Sequence, residues 1–138
     1  MSKLVIADAD ALIALALESD PHHKRAVTIS GMLMQQAATI IFPATVFPEA
    51  ITTLKRALNQ PEKARLINRQ IQQGAFQIEY PNQKIMNRAG QLFEKAISKK
   101  NTLFDAIVAA TAESLEADAI FSFDNWYTKL GFTLTSAL

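Results

Sequence analysis

Short apolar runs that stop at polar residues alternate with stretches of helical periodicity, and this alternation limits the fold more than any other feature of the chain. Leu4, Val5 and Ile6 predict a strand over Lys3 to Ala7, and Asp8 falls where it should end. Ala9 to Glu18 reads as a helix, because Ala and Leu favour that state and Leu12, Leu15 and Ala16 recur at helical spacing. Asp20 as N-cap and Pro21 as first helical residue predict a second helix from Pro21 to Ala38. Thr39 to Phe42 is β-branched and aromatic, a second strand stopped by Pro43, and a helix follows over about Thr45 to Leu58 with Pro48 in its first turn.

The second half repeats the pattern. Pro61 to Gly74 is a polar helix with an apolar stripe at Ala64, Ile67 and Ile71, and Gly74 is placed to end it. Phe76, Ile78 and Tyr80 alternate within a third strand, Ala75 to Tyr80. A helix from Gln83 to Lys99 follows, then one from Leu103 to Glu116. Ala119 to Phe123 reads as a fourth strand, Trp126 to Leu130 as a short helix and Phe132 to Leu134 as a last small strand. Strands alternating with helices predict an α/β class: a single-domain three-layer α/β/α sandwich over residues 1–138, with a mostly parallel central sheet and right-handed crossovers.

Composition excludes several functions. There is no Cys, so disulfides, thiolate nucleophiles and sulfur-ligated metals are ruled out. Lys and Arg number 14 against 13 Asp and Glu, a net charge of +1, so nucleic acid cannot be held by bulk attraction. The longest apolar stretches, around Ala11 to Leu17 and Ile40 to Ala50, fall short of the roughly 20 residues of a spanning helix, so no membrane association is expected. Met1 to Val5 lacks the pattern of a secretory signal, and a cytoplasmic location is expected.

In an open parallel sheet, ligands bind outside the carboxyl ends of the strands, near the point where strand order reverses. Asp8 follows the first strand and Asp124 the fourth, Asp105 opens the helix before the fourth, and Glu49 lies near the start of the helix after the second. Each acid alone also suits the positive end of a helix. Asp105, however, is embedded in Leu103, Phe104, Ala106, Ile107 and Val108, and Glu49 sits between Val46, Phe47 and Ala50, Ile51. Unpaired carboxylates are expensive in such settings. Lys and Arg are scarce in these segments, so Mg²⁺ or Mn²⁺, which prefer carboxylate oxygens, is the expected compensation.

Four segments carry a resemblance to a known family: Val5-Ile6-Ala7-Asp8-Ala9-Asp10-Ala11-Leu12, Pro43 to Ala50, Phe104 to Ala112, and Phe121-Ser122-Phe123-Asp124-Asn125-Trp126-Tyr127. As an ordered set covering essentially the whole chain, they resemble the PIN-domain nucleases, in particular the VapC-like ribonuclease toxins of type II toxin–antitoxin systems in prokaryotes. The resemblance implies a Mg²⁺- or Mn²⁺-dependent endoribonuclease acting on RNA, with Asp8, Glu49, Asp105 and Asp124 as metal-binding and catalytic acids. It further implies a homodimer neutralised by a small antitoxin protein. Two positions depart from the family pattern: Asp10 stands where Ser, Thr or Asn is commoner, and Asn125 where another acid or hydroxyl often follows. Asp10 reads equally as a support for the site or as a helix N-cap.

Other candidates are weaker. Lys55, Arg56, Lys99 and Lys100 read as phosphate contacts or, more simply, as solvated helix ends. Trp126 and Tyr127 are expected in core or interface rather than stacked on a base. His22 and His23 are adjacent near a helix start, point to different faces, and are expected to serve packing or surface, outside the site. Two further readings stand beside the ribonuclease. Asp8-Ala9-Asp10 resembles the nucleophile motif of haloacid-dehalogenase-like phosphatases, although Leu12 replaces the Thr or Val expected there. A stand-alone nuclease, or a catalytically inactive PIN-fold module for RNA binding or regulation, would share most of these features.

Overall fold

Strand β1 (Leu4–Ala7) is the centre of the molecule, and its unbroken apolar run is what a strand covered on both faces requires. Val5 and Ala7 pack on one face with Ala26, Ile29 and Leu33 of α2 (His23–Gln35), while Ile6 faces the opposite layer. The computed structural model describes residues 2–138 and places β1 between β2 (Thr39–Pro43) and β4 (Ala119–Phe121), with β3 (Gln77–Glu79) beyond β2. All pairings are parallel, with Val5 opposite Ile40 and Ile6 opposite Ile120. The expected α/β/α sandwich is present, and its sheet is wholly parallel in the order β3-β2-β1-β4.

Helix α1 (Ala9–Ala16) leaves the end of β1 directly. The face opposite α2 carries α3 (Val46–Thr52), α4 (Pro61–Gln72), α5 (Gln83–Lys95) and α6 (Leu103–Ser114). Residues Ala106 to Ala112 of α6 are all buried, since α5 covers its outer side with Ile85, Ala89 and Leu92. The stripe of α4 lays Ala64 and Ile67 into the same core. Gly74, at a φ of 74°, ends α4: its N–H reaches the Ile71 carbonyl, and the Ala75 N–H reaches that of Gln70. These two bonds take up orphan carbonyls of the last turn, at the left-handed conformation glycine adopts without strain.

Several boundaries differ from the sequence expectation. Helix α2 begins at His23, not Pro21, because the Asp20 side chain accepts the His22 N–H at 2.8 Å and its carbonyl accepts the His23 N–H at 3.0 Å. Asp20 thus closes a turn before the helix. The expected strand at Phe132 to Leu134 is reduced to one bridge, Leu134 beside Ile120. Strand β4 stops at Phe121, and β3 stops at Glu79, leaving Tyr80 exposed. The helix expected to reach Lys99 ends at Lys95, and α3 passes into a π-helical turn, Thr53–Ala57. A last short helix, α7, spans Trp126–Lys129. Among the described residues, no helix is long and apolar enough to cross a membrane.

Candidate active site

The chain steps from β1 outward to β2 and β3, then returns across to β4, so strand order reverses between β1 and β4. Asp8 stands at that point. Its N–H is bound by the Phe121 carbonyl at 3.0 Å, which ties it to the end of β4, and Oδ1 accepts the Ala9 N–H at 2.7 Å to start α1. Oδ2 accepts the Tyr127 hydroxyl at 2.6 Å and the Ser122 hydroxyl at 3.2 Å. Asp8 is only 4% exposed.

Ser122 connects three acids. Its Oγ lies 2.9 Å from Oδ2 of Asp10 as well as 3.2 Å from Asp8, and it accepts the Asp124 N–H at 3.1 Å. One hydroxyl proton thus serves two carboxylates. The Phe123 N–H adds a 2.8 Å bond to Oδ2 of Asp10. Asp124 is oriented from both sides: the Trp126 N–H meets Oδ1 at 2.9 Å, and the Asn101 amide meets Oδ2 at 2.9 Å. Asp105, in the first turn of α6, accepts the Thr102 N–H at 3.0 Å. Glu49 reaches in from α3.

These five carboxylates line one cavity of about 300 Å³, with Lys100, Thr102, His22 and Phe123 completing its walls. Burial holds the Asp8 carboxyl well above its ordinary value, with nearby Asp10 adding repulsion. Asp10 and Asp105 are raised for the same first reason. Glu49 is pushed up to about 7 by burial and by the charges of Asp105 and Asp10. The expected cationic partner is not supplied by an ion pair: among the described residues the pairs are Arg65–Glu62 and Arg88–Glu113, both elsewhere. Lys100, on the cavity wall, only partly offsets the charge by lowering Asp105.

Two buried oxygens, Oδ1 of Asp10 and Oε1 of Glu49, have no hydrogen-bond partner. Desolvated, unpartnered carboxylate oxygens beside other acids form a donor set suited to a hard divalent cation. Among the described residues, no three His, Asp or Glu side chains are drawn together as a closed metal cluster. The acids line the cavity from several sides without converging on one point.

Asp8, Glu49, Asp105 and Asp124 therefore share one cavity. Asp10 is turned into it too, while Asp8 is the N-cap of α1. His22 requires a correction: it lies on the cavity wall, its ring stacked on Phe123 with centroids 4.4 Å apart and planes 7° from parallel. The Asp20 turn puts it there by holding residue 22 out of the helix. His23 packs as expected, its Nδ1 2.7 Å from the Ala14 carbonyl. Lys100 reaches the cavity, whereas Lys99, Lys55, Arg56 and Asn125 do not line it. Tyr127 is fully buried, as core residues are, yet its hydroxyl serves Asp8. Ser122 and Asn101 escape a reading of the sequence. The available signals are a small hydroxyl residue two positions before Asp124 and a buried Asn in the break before α6.

The model of the PIN domain family matches residues 5–132. No curated protein matches the chain by sequence. Among solved structures, VapC20 of Mycobacterium tuberculosis, a sarcin-ricin loop cleaving toxin, is similar with a TM-score of 0.80 at 16% identity, over 94% of this chain and 96% of that one. FitAcB from Neisseria gonorrhoeae is similar with a TM-score of 0.70 at 16% identity, over 97% and 99% of the two chains. VapBC-1 from nontypeable Haemophilus influenzae gives 0.64 at 16% identity, over 95% and 96%. At such identities the likeness is one of fold.

Proposed function

The chain belongs to the PIN domain family, and from that membership and its acidic cavity we propose that it is a Mg²⁺- or Mn²⁺-dependent endoribonuclease, the toxin of a toxin–antitoxin pair. The observation that carries this reading is the cavity itself. Five carboxylates from four separate segments line it at the strand-order reversal, and two of their buried oxygens have no partner. A protein that only bound another surface would gain nothing from so costly a cluster.

An RNA phosphodiester is anionic and such acids repel it. A divalent ion held there would supply the positive charge, a water of lowered pKa and stabilisation of the leaving oxygen. Asp8, Asp105 and Asp124 are the residues that would hold it, each fixed by hydrogen bonds from its surroundings. Glu49, with its carboxyl near 7 and Oε1 unpartnered, is suited to join them on the ion or to orient a water and take its proton. Lys100 on the wall can meet a phosphate oxygen. The phosphatase reading is disfavoured, because Leu12 stands where that nucleophile motif has Thr or Val and the family matched is the PIN domain.

That VapC20 is described as a toxin, and that a Klebsiella pneumoniae structure of TM-score 0.57 is a toxin–antitoxin complex, supports the toxin role. With it come a small antitoxin partner, a homodimer of one nuclease domain per chain, and a cytoplasmic site of action. The deciding experiment incubates purified protein with labelled RNA. Cleavage should need Mg²⁺ or Mn²⁺, stop with chelator, and disappear in folded Asp8→Asn and Asp105→Asn proteins. Full activity in both variants overturns the assignment. A short reading frame just upstream, whose product blocks cleavage, would establish the toxin role.

A further inference from the structure

The acidic cavity has a neighbour. Between α2 and the turn at Thr135–Ala137 lies a second cavity of about 370 Å³, with Lys24, Arg25, Thr28 and Ser136 around it and Ile29 and Met32 among its apolar walls. Arg25 joins the two. Its guanidinium lies 5.0 Å from the centre of the Phe123 ring, and its Nη1 is 3.4 Å from Nδ1 of His22. His22 and Phe123, stacked on each other, also line the acidic cavity. Both cavities lie near the carboxyl end of the sheet, since Thr135 follows the bridge between Leu134 and Ile120.

We propose that this second cavity binds a nucleotide of single-stranded RNA flanking the bond cut in the acidic cavity, with His22, Phe123 and Arg25 as the joint the strand crosses. The proposal rests on the ribonuclease reading and names where the substrate runs. The chemistry is complementary. Lys24 and Arg25 are exposed cations suited to phosphate, the hydroxyls of Thr28 and Ser136 suit phosphate or ribose, and Ile29 with Met32 gives a base an apolar surface. Thr135, fully buried in the wall, holds a hydroxyl with no partner, which is unused hydrogen-bonding capacity. The acidic cavity cannot grip RNA alone, because Lys100 is the one Lys or Arg among its lining residues and five carboxylates oppose it. A chain of net charge +1 has to concentrate its cations where the strand lies, and Lys24 and Arg25 do so.

The test is fluorescence anisotropy with a labelled unstructured RNA oligonucleotide in EDTA, so that binding is read without cleavage. Wild type is compared with the Lys24→Glu, Arg25→Glu double variant and with Thr28→Trp, which fills the cavity while leaving both cations. Each variant should bind RNA about tenfold more weakly, and the double variant should show a salt dependence shallower by about two charges. Stabilisation by Mn²⁺ in a thermal melt should persist in both, since the five acids are untouched. RNA affinity equal to wild type in both variants overturns the subsite and leaves the nuclease reading standing. Failure of the wild type to bind or cut RNA overturns both.

Discussion

The phenol of Tyr127 donates a 2.6 Å hydrogen bond to Oδ2 of Asp8, across 119 positions of sequence. With the Ser122 hydroxyl on the same oxygen, it turns Oδ2 inward and leaves Oδ1 the freer atom, bound only by the Ala9 N–H. Tyr127 therefore holds the carboxylate on which the site depends, although it does not line the acidic cavity.

Tyr127→Phe keeps the ring in the core and removes only that bond. Unfolding in denaturant should show a loss of about 1–3 kcal/mol, the worth of a hydrogen bond to a charged group. Mn²⁺ affinity, measured by titration, should drop by about tenfold or more, as loss of a partner that orients a ligand does. An unchanged affinity would mean that Ser122 alone orients Asp8.

Glu49 sets a pH dependence. Its carboxyl titrates near 7 in the fold against 4.5 ordinarily, so the folded chain keeps a proton that the unfolded chain has released between those values. Metal-free stability should fall as pH rises through that window, with the penalty complete above it. Glu49→Gln should flatten the decline between about pH 5 and about pH 8 by on the order of 1–2 kcal/mol, allowing for partial solvent screening. Denaturant midpoints of both proteins across that range provide the check.

Metal should act against the same proton. A cation bound among these acids favours the ionised form of Glu49, so apparent Mn²⁺ affinity should rise with pH up to about 7 and calorimetry should detect proton release. At a hundredfold excess over Kd, stabilisation of about 2.7 kcal/mol is expected. The effect should vanish in Asp8→Asn.

Asn101 is a fourth handle. Buried at 8% exposure, it fixes Oδ2 of Asp124 through its amide. Asn101→Ala should preserve the fold at a cost of about 1–2 kcal/mol and weaken Mn²⁺ binding about tenfold. Asn101→Asp, which sets a sixth carboxylate beside Asp124, should be worse in metal-free melts and improve most when metal is added.

Strands β1, β2 and β4 could be read from the sequence because each is a short apolar run, β3 from the alternation of Phe76, Ile78 and Tyr80, and the four acids because each sits where a strand ends or a helix starts. What supports those acids could not. Ser122, Tyr127 and Asn101 meet Asp8 or Asp124 only through closure of the sheet and the packing of α6 and α7, over separations of 23 to 119 positions. The place of His22 on the cavity wall is not legible in the sequence for a local reason: the Asp20 side chain takes the His22 N–H, and the helix starts two residues late with the ring stacked on Phe123.

The reversal of strand order between β1 and β4 has a consequence for a chain being made on the ribosome. Asp8 is synthesised 114 positions before Ser122 and 119 before Tyr127. Until β4 docks beside β1, Asp8 has neither its orienting hydroxyls nor Asp124 beside it, and no assembled site exists. For the nuclease proposed above, cutting requires β4 in place: a chain without it carries Asp8, Glu49 and Asp105 but neither Asp124 nor the hydroxyls that orient Asp8.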